Sequence, residues 1–136
     1  MKIEHVAFHV DDPVAVARWW VKALGFKVTF SGPKPGDCRF IVDTTGRVAI
    51  ELYKVFDEKG REKKAPNYFR RSASAMHFAF VSEDVEKDSK RLIKKGATYD
   101  KKAKPIFNDD MQMVMLRDPF GFAFQLIKRK KSVLIG

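Results

Sequence analysis

The most constraining feature of the chain is an internal duplication. A strand-like segment that opens with histidine, His5-Val6-Ala7-Phe8, returns about half the chain later as His77-Phe78-Ala79-Phe80. A turn that leads into a strand, Asp43-Thr44-Thr45-Gly46 to Glu51, returns as Asp118-Pro119-Phe120-Gly121 to Gln125. The two copies predict two equivalent modules, and each copy carries a potential metal ligand at either end. The four candidates for a single site are His5, Glu51, His77 and Gln125.

Turn residues and hydrophobic periodicity predict a βαβββ order in the first half. Asp11-Asp12-Pro13 is a typical helix start, and Gly25 is a typical helix end. The Thr44-Thr45-Gly46 turn is expected to join the last two strands as a hairpin. The predicted elements are a strand at 3–10, a helix at Pro13–Leu24, a strand at Phe26–Phe30, a loop at Ser31–Asp37, and strands at Cys38–Asp43 and Arg47–Val55.

The second half repeats this order after a charged segment, Phe56–Ser74, that lacks apolar periodicity and is predicted to be a linker. The predicted elements are a strand at Ala75–Val81, a helix at Glu83–Lys95, a strand at Ala97–Ala103, a loop at Lys104–Asp110, and a hairpin of Met111–Arg117 and Phe122–Lys128. The prediction is one α+β domain, 1–136, with modules at about 1–55 and 75–130 and a linker at about 56–74. Each module is small and one-sided, so the two should pack together within a chain or across a dimer.

Strand alternation places the four candidate residues on equivalent faces. On the first strand, apolar Val6 and Phe8 are expected to cover the helix, so His5 faces away from it. The same alternation turns the other three candidates to the helix-free side of their strands. A buried carboxylate such as Glu51 needs a cation or a proton, because an unpaired buried charge is costly. A divalent metal held by two imidazoles, one carboxylate and one amide oxygen meets that need.

The chain is strongly basic, with a formal net charge of +10 at pH 7. The basic residues concentrate at 54–71, 101–104 and 128–131, and such a field favours encounters with anionic substrates or nucleic acid. Interleaved acidic residues and the lack of a nucleic-acid-binding motif favour a solvated surface over nucleic-acid binding. No apolar run suits a membrane span, no signal peptide is recognisable, and Cys38 is the only cysteine, so a cytoplasmic protein without membrane association is expected.

Taken together, these residues resemble the glyoxalase I/bleomycin resistance/extradiol dioxygenase group, the vicinal oxygen chelate superfamily. The resemblance covers essentially the whole chain. It rests on a His-x-x-x-x-Val-x-Asp strand (His5, Val10, Asp12), on Ile50-Glu51-Leu52, on a second opening histidine (His77), and on Asp118-Pro119-Phe120-Gly121 leading to Gln125. The closing motif with its matched repeat is fairly specific for the superfamily and weak for any one member.

The resemblance implies a cup-shaped mixed β-sheet built from the two modules, with the helices outside, usually in a homodimer with a metal at its centre. Carried over residue by residue, His5, Glu51, His77 and Gln125 fall on the metal-ligand positions of glyoxalase I, which is closest in ligand pattern. Zn, Ni, Co, Mn and Fe are the candidate divalent metals. Gln125 departs from the pattern, because most metal-dependent members have glutamate there, although glutamine is a ligand elsewhere in the superfamily.

The activity implied by the resemblance is that of a glyoxalase-like lyase or isomerase. The metal binds the oxygens of a hemithioacetal or related α-hydroxycarbonyl substrate and stabilises an enediolate. Glu51 is then the catalytic base, because the Gln125 amide cannot accept a proton. The neutral amide also leaves the site more positive, which favours an anionic small-molecule substrate.

Other assignments stay open. His5, His77 and Glu51 have the composition of a two-histidine, one-carboxylate ferrous dioxygenase site. A small-molecule binding protein of the bleomycin-resistance type needs no metal and relies on an aromatic groove. Three further residues are candidates for substrate binding: His9, on the same strand face as His5, and the two arginines Arg39 and Arg117, which suit an anion.

Overall fold

The computed structural model describes residues 1–135, and the chain divides into two compact units. Unit 1 spans Met1–Pro66 and unit 2 begins at Asn67, so the boundary lies inside the segment predicted to be a linker. The described residues form two α-helices and several mixed or antiparallel sheets. The α+β class predicted from the sequence is therefore confirmed.

Unit 1 begins with a strand and a capped helix. The Asp12 side chain accepts a hydrogen bond of 3.0 Å from the Ala15 backbone N–H, and Pro13 follows at the first helical position. Gly25 ends the helix in the left-handed conformation with φ of 76°. These local signals explain why the helix has its predicted bounds. The main elements are β1 (His5–His9), α1 (Pro13–Leu24), β2 (Lys27–Ser31), β3 (Arg39–Val42) and β4 (Ala49–Tyr53).

These four strands form one mixed sheet in the order β1-β4-β3-β2. β1 runs parallel to β4, and the remaining neighbours are antiparallel. Ile50 and Leu52 on β4 are buried, as is Trp20 on α1, which packs on the sheet. Glu51 therefore lies on the face of β4 away from the helix, as strand alternation predicted.

The first strand departs from the predicted pattern. Val6 is 46% exposed, whereas Val10, just beyond the strand, is buried. β1 is an edge strand, and α1 packs mainly on β2, β3 and β4. The helix therefore covers little of the start of β1, and the expectation that Val6 shields it was wrong.

The segment predicted to be a linker contains regular structure. A short hairpin pairs β5 (Val55–Phe56) with β6 (Glu62–Lys63). Its turn is organised by Asp57, whose carboxylate accepts hydrogen bonds of 2.9 Å from the backbone N–H groups of Lys59 and Arg61. Charged side chains here build a turn, which explains why apolar periodicity did not reveal the hairpin.

Unit 2 repeats the order of elements, and its first two strands are shorter than predicted. After a 3₁₀ turn at Tyr68–Arg70, its elements are β7 (Phe78–Val81), α2 (Val85–Lys94), β8 (Thr98–Tyr99), β9 (Ile106–Phe107), β10 (Met111–Arg117) and β11 (Ala123–Arg129). β9 lies where a loop was predicted. β7 begins at Phe78 because residues 73–75 form a turn, with backbone hydrogen bonds to the Ser72 carbonyl. No helix of residues 1–135 has the length and apolarity that crossing a membrane requires.

The sheet of unit 2 has the topology of the sheet of unit 1. Its order is β7-β11-β10-β8, with β7 parallel to β11 and the other neighbours antiparallel. The registers also match, because Ala7 pairs with Glu51 in unit 1 and Ala79 pairs with Gln125 in unit 2. Each of these alanines lies two residues after a candidate histidine. The duplication predicted from sequence is thus a duplication of strand pairing, while the cup-shaped joining of the sheets stays a prediction.

The repeated turns are alike in hydrogen bonding and different in surroundings. The Gly46 N–H donates to the Asp43 carbonyl, and the Gly121 N–H donates to the Asp118 carbonyl. Both glycines have positive φ, 64° at Gly46 and 98° at Gly121. A Cβ atom added at Gly46 meets no heavy atom within 4 Å, whereas one at Gly121 lies 2.5 Å from the Phe69 backbone nitrogen. Only the second turn is packed against other backbone, that of the 3₁₀ turn.

We expect Gly121→Ala to lower the free energy of unfolding by about 2–4 kcal/mol and Gly46→Ala by only about 1 kcal/mol. Both changes force an L-residue into the left-handed region, but only the first also drives a methyl group into rigid backbone. Urea denaturation of the two variants, followed by circular dichroism, measures the difference. Equal losses of stability would show that the packing against Phe69 is unimportant.

Candidate metal and substrate site

In unit 1, the structure brings together His5 and Glu51. Their strands are parallel neighbours, and the His5 Nε2 atom lies 3.3 Å from the Glu51 Oε2 atom. The His5 Nδ1 atom lies 3.0 Å from the Glu4 Oε1 atom. The two side chains are partly shielded, with 36% of His5 and 25% of Glu51 exposed. Two of the four candidate residues are therefore neighbours within this unit.

The contacts of His5 place a chemical condition on the pair. If Nδ1 donates its hydrogen to Glu4, a neutral imidazole has a lone pair on Nε2, facing a carboxylate. Two acceptors in that position repel each other unless a positive charge lies between them. An imidazolium proton or a metal ion bound to Nε2 and Oε2 removes the conflict. The pair thus offers one imidazole nitrogen and one carboxylate oxygen, which are two of the donor atoms that a divalent metal site uses.

Cys38 is a neighbour of Glu51 that the sequence interpretation did not place at the site. Its Sγ atom lies 3.8 Å from Glu51 Oε1 and donates a weak hydrogen bond to it. Burial, and then the charge of Glu51, raise the pKa of the Cys38 thiol, so the S–H form persists as a donor. The register of β3 with β4, which sets Phe40 opposite Glu51, is the signal that places Cys38 nearby.

In unit 2, the structure brings together His77 and Gln125. The His77 Nδ1 atom donates a hydrogen bond of 2.7 Å to the Ala73 carbonyl, which assigns the remaining lone pair to Nε2. That Nε2 atom accepts a hydrogen bond from the Gln125 side-chain amide. A ring fixed by a carbonyl on one nitrogen, with the other nitrogen turned to a ligand, is the usual arrangement of a metal-binding histidine. Rotation of the Gln125 amide would present its oxygen instead.

Each pair therefore fits a divalent metal by its donor atoms, and each lies within its own unit. Among residues 1–135, no three His, Cys, Asp or Glu side chains form a cluster that could hold a metal. A four-ligand set made of His5, Glu51, His77 and Gln125 needs both pairs and includes an amide. That set stays a prediction.

A cavity of about 980 Å³ in unit 2 opens beside His77 and Gln125. Besides Arg117, its lining includes four basic residues: Arg70, Arg71, Lys101 and Lys102. The sequence marks these residues only as members of basic segments. Their common position depends on two loops, one before β7 and one after β8, that come together in the folded unit.

Arg117 also lines this cavity, but its guanidinium is engaged by other groups of the protein. Its Nε atom donates to Asp100 Oδ2 at 2.9 Å, and the two side chains are 12% and 6% exposed. The remaining guanidinium nitrogens donate to the carbonyls of Tyr68, Gly121 and Arg71 at 2.8–2.9 Å. Arg117 thus ties together three loops, and its predicted contact with substrate stays a prediction.

Asp100 is the acidic partner of Arg117. Burial alone raises the pKa of a carboxyl group, but hydrogen bonds from the Lys102 and Ala103 backbone N–H groups and from Arg117 outweigh it. The pKa of Asp100 is therefore below its ordinary value. The same backbone hydrogen bonds end β8 after Tyr99, which explains why the strand predicted to reach Ala103 is short.

The other two predicted substrate residues have local partners in unit 1. His9 Nε2 lies 3.1 Å from the Lys63 carbonyl, and its ring stacks on Tyr53. Arg39 donates from Nη1 to the carbonyls of Gly32, Asp37 and Cys38 at 3.0–3.4 Å. Arg39 therefore stabilises the loop between β2 and β3. The predicted roles of both residues in binding substrate stay predictions.

Comparison with known families identifies the fold. The family model for the Glyoxalase/Bleomycin resistance protein/Dioxygenase superfamily matches residues 2–126. The chain belongs to this superfamily. The resemblance drawn from the sequence is thereby confirmed. A search of curated proteins found no significant match.

Solved structures of the glyoxalase superfamily agree with this assignment. An antibiotic binding protein from Streptomyces sp. CB03234 is 17% identical, with 96% of this chain and 97% of that chain covered and a TM-score of 0.66. A glyoxalase family protein from Bacillus cereus is 14% identical, with coverages of 95% and 93% and a TM-score of 0.65. A glutamate-to-glutamine variant of glyoxalase I from Zea mays is 19% identical, with coverages of 96% and 46% and a TM-score of 0.65. At these identities the likeness is one of fold.

Proposed function

We propose that this glyoxalase-superfamily chain is a metal-dependent lyase or isomerase that acts on a small α-hydroxycarbonyl or thiol-adduct substrate. The observation that carries the proposal is the equivalence of the two pairs. Glu51 and Gln125 occupy matching register positions, and His5 and His77 each lie two residues before the alanine paired with them. Both histidines have Nδ1 engaged while Nε2 faces the partner. Two such pairs supply the imidazole, carboxylate and amide donors of one divalent metal.

In this proposal the residues divide the work between binding and proton transfer. His5, Glu51, His77 and Gln125 hold the metal. When bound, the ion supplies Lewis-acid stabilisation of negative charge on the substrate oxygens. Glu51 accepts the proton from the carbon next to the carbonyl, because it is the only carboxylate of the four. The proton acceptor is Oε2 or Oε1, and the Cys38 thiol supports the carboxylate at Oε1.

Gln125 limits the chemistry to one base. A neutral amide binds a metal through its oxygen but does not take up a proton. A reaction that abstracts and returns a proton at the same face therefore suits the site better than one that needs a base on each side of the substrate. The Ala7 and Ala79 side chains, which pair with Glu51 and Gln125, leave space near both.

Metal titration by isothermal calorimetry tests the proposal. We expect the wild-type chain to bind one Zn, Ni, Co or Mn ion, and His5→Ala and His77→Ala to weaken the affinity by about 100-fold or more, because each change removes a ligand. His9→Ala is the matched control, since it removes an imidazole from the same strand as His5. A wild-type protein that takes up none of these metals would disprove the proposal.

Turnover is then measured on metal-loaded protein with a hemithioacetal formed from a 2-oxoaldehyde and a thiol. Glu51→Gln is expected to abolish turnover because the amide cannot accept a proton. Glu58→Gln is the matched control, because it makes the same change at an exposed residue of unit 1. Turnover retained in Glu51→Gln would assign the base to another residue.

A metal-free small-molecule binding protein is the second candidate. The observation that favours it is the hydrogen bond between the Gln125 amide and His77 Nε2, which satisfies both groups without a metal. This candidate predicts ligand binding that is unchanged by chelator. Metal-dependent turnover would exclude it.

A further inference from the structure

We propose that the cavity of unit 2 binds an oxyanion of the substrate, a phosphate, phosphonate or carboxylate group, through Arg70, Arg71, Lys101 and Lys102. The inference deepens the proposed function and rests on it, because the oxyanion is assigned to the same substrate that reacts at His77 and Gln125. All six residues line one cavity of about 980 Å³. A substrate held there has its charged end at the basic loops and its reacting end at the histidine.

The four basic side chains have no acidic partners of their own. Within residues 1–135, none of the ion pairs involves Arg70, Arg71, Lys101 or Lys102. The one carboxylate in the lining, Asp100, is already paired with Arg117. The cavity therefore carries a net positive charge that an anionic ligand can neutralise. Charge-assisted hydrogen bonds from arginine and lysine to an oxyanion are among the stronger polar contacts in proteins.

The loops that carry these cations are held in place by hydrogen bonds to Arg117 and Asp100. Arg117 donates to the Tyr68 and Arg71 carbonyls and so anchors the loop that carries Arg70 and Arg71. Asp100 accepts from the Lys102 and Ala103 backbone N–H groups and so anchors the loop that carries Lys101 and Lys102. Since Arg117 and Asp100 are bonded to each other, one buried ion pair positions both loops. A preorganised loop backbone lowers the entropy that is lost when a ligand binds.

The shape of the site favours a small molecule over nucleic acid. The charges line a concave cavity with His77 and Gln125, rather than a ridge or a long stripe. Binding to a nucleic-acid backbone uses cations spread along an extended surface or groove. A cavity of this volume is in the range of small-molecule sites. We therefore assign the basic loops to substrate recognition.

The test is a titration of the metal-free full chain with inorganic phosphate, followed by ¹H–¹⁵N NMR at constant ionic strength. We expect saturable shifts of the amides at 70–72 and 101–103. The double variants Lys101→Gln/Lys102→Gln and Arg70→Gln/Arg71→Gln are expected to weaken phosphate binding roughly tenfold each. Lys130→Gln/Lys131→Gln is the matched control, because it removes the same charge from exposed residues outside the cavity.

The outcomes separate this inference from the proposed metal function. Phosphate binding that is weakened only by the cavity variants supports the oxyanion site, even if the protein takes up no metal. Equal weakening in the control would show a general charge effect and overturn the inference, as would the absence of saturable shifts. Tighter binding of a short DNA duplex at the same amides would overturn it in favour of nucleic acid. Acetate and methylphosphonate, titrated in parallel, distinguish a carboxylate from a phosphoryl ligand.

Discussion

Arg117→Met is expected to lower the free energy of unfolding by about 3–5 kcal/mol, the largest effect on stability that we anticipate from a single change. The substitution leaves Asp100, which is 6% exposed, without its counter-charge, and it removes the donors to the Tyr68, Gly121 and Arg71 carbonyls. Methionine keeps much of the side-chain volume, so the drop in the free energy of unfolding reflects the lost polar contacts rather than lost packing. Arg129→Met is the matched control, because Arg129 is an exposed residue of the adjacent strand and should change stability little. Urea denaturation followed by circular dichroism measures both.

The pH dependence of stability gives an independent check on the same ion pair. The pKa of Asp100 is lower in the folded chain than in the unfolded chain, so the unfolded state binds a proton first as pH falls. The stabilisation is complete above the unfolded value of about 4 and is lost as pH falls through the lower folded value. Asp100→Asn should remove this contribution to the loss of stability at acidic pH. Identical acid sensitivity in wild type and Asp100→Asn would assign the effect to other carboxyl groups.

Gln125→Glu is expected to tighten metal binding by about 10- to 100-fold, the largest gain that we anticipate from a single change. A carboxylate adds an anionic ligand where the chain has a neutral one. Without metal, that carboxylate would face the Nε2 lone pair of His77 in place of the amide donor, which destabilises the metal-free state. The substitution also supplies a second side chain that can accept a proton.

Calorimetric titration of Gln125→Glu with Zn or Ni measures the gain. Gln112→Glu is the matched control, since it makes the same charge change on β10, where Gln112 pairs with Lys128. A gain of similar size in both variants would mean that only long-range charge is at work. An unchanged affinity in Gln125→Glu would remove Gln125 from the ligand set.

Elements with strong local signals were predicted closely. The bounds of α1 followed from Asp12, Pro13 and Gly25, whose capping and backbone preferences act within one turn of the helix. β10 was predicted as Met111–Arg117 and has those bounds. β7 and β8 are shorter than predicted, because backbone hydrogen bonds to the Ser72 carbonyl and to the Asp100 carboxylate turn the chain. Such side-chain and turn contacts leave little trace in hydrophobic periodicity.

Some residues of the candidate site were likewise predicted from the sequence, and others were not. Strand alternation, which depends only on a period of two, placed Glu51 on the helix-free face, and the repeat pointed to its counterpart Gln125. The Cys38 thiol and the Asp100–Arg117 pair were not predicted as neighbours of the site. Cys38 meets Glu51 through the register of two strands, and Asp100 meets Arg117 through the pairing of β8 with β10.

The sequence by itself determined the duplication, the family and the identity of the four candidate ligands, because these depend on residue type and spacing along the chain. Only the tertiary structure decided which groups Arg117 contacts, and that four cations distant in sequence line one cavity. Arg117 has the charge to bind an anion, yet its guanidinium is used to anchor the loops of Tyr68, Arg71 and Gly121. The same cavity is lined by Arg70, Arg71, Lys101 and Lys102, none of which takes part in an ion pair within residues 1–135. The sequence specifies the charge of an arginine or lysine side chain but not where that side chain points. Folding decides which of these donors are bonded to other protein groups and which remain available to a ligand.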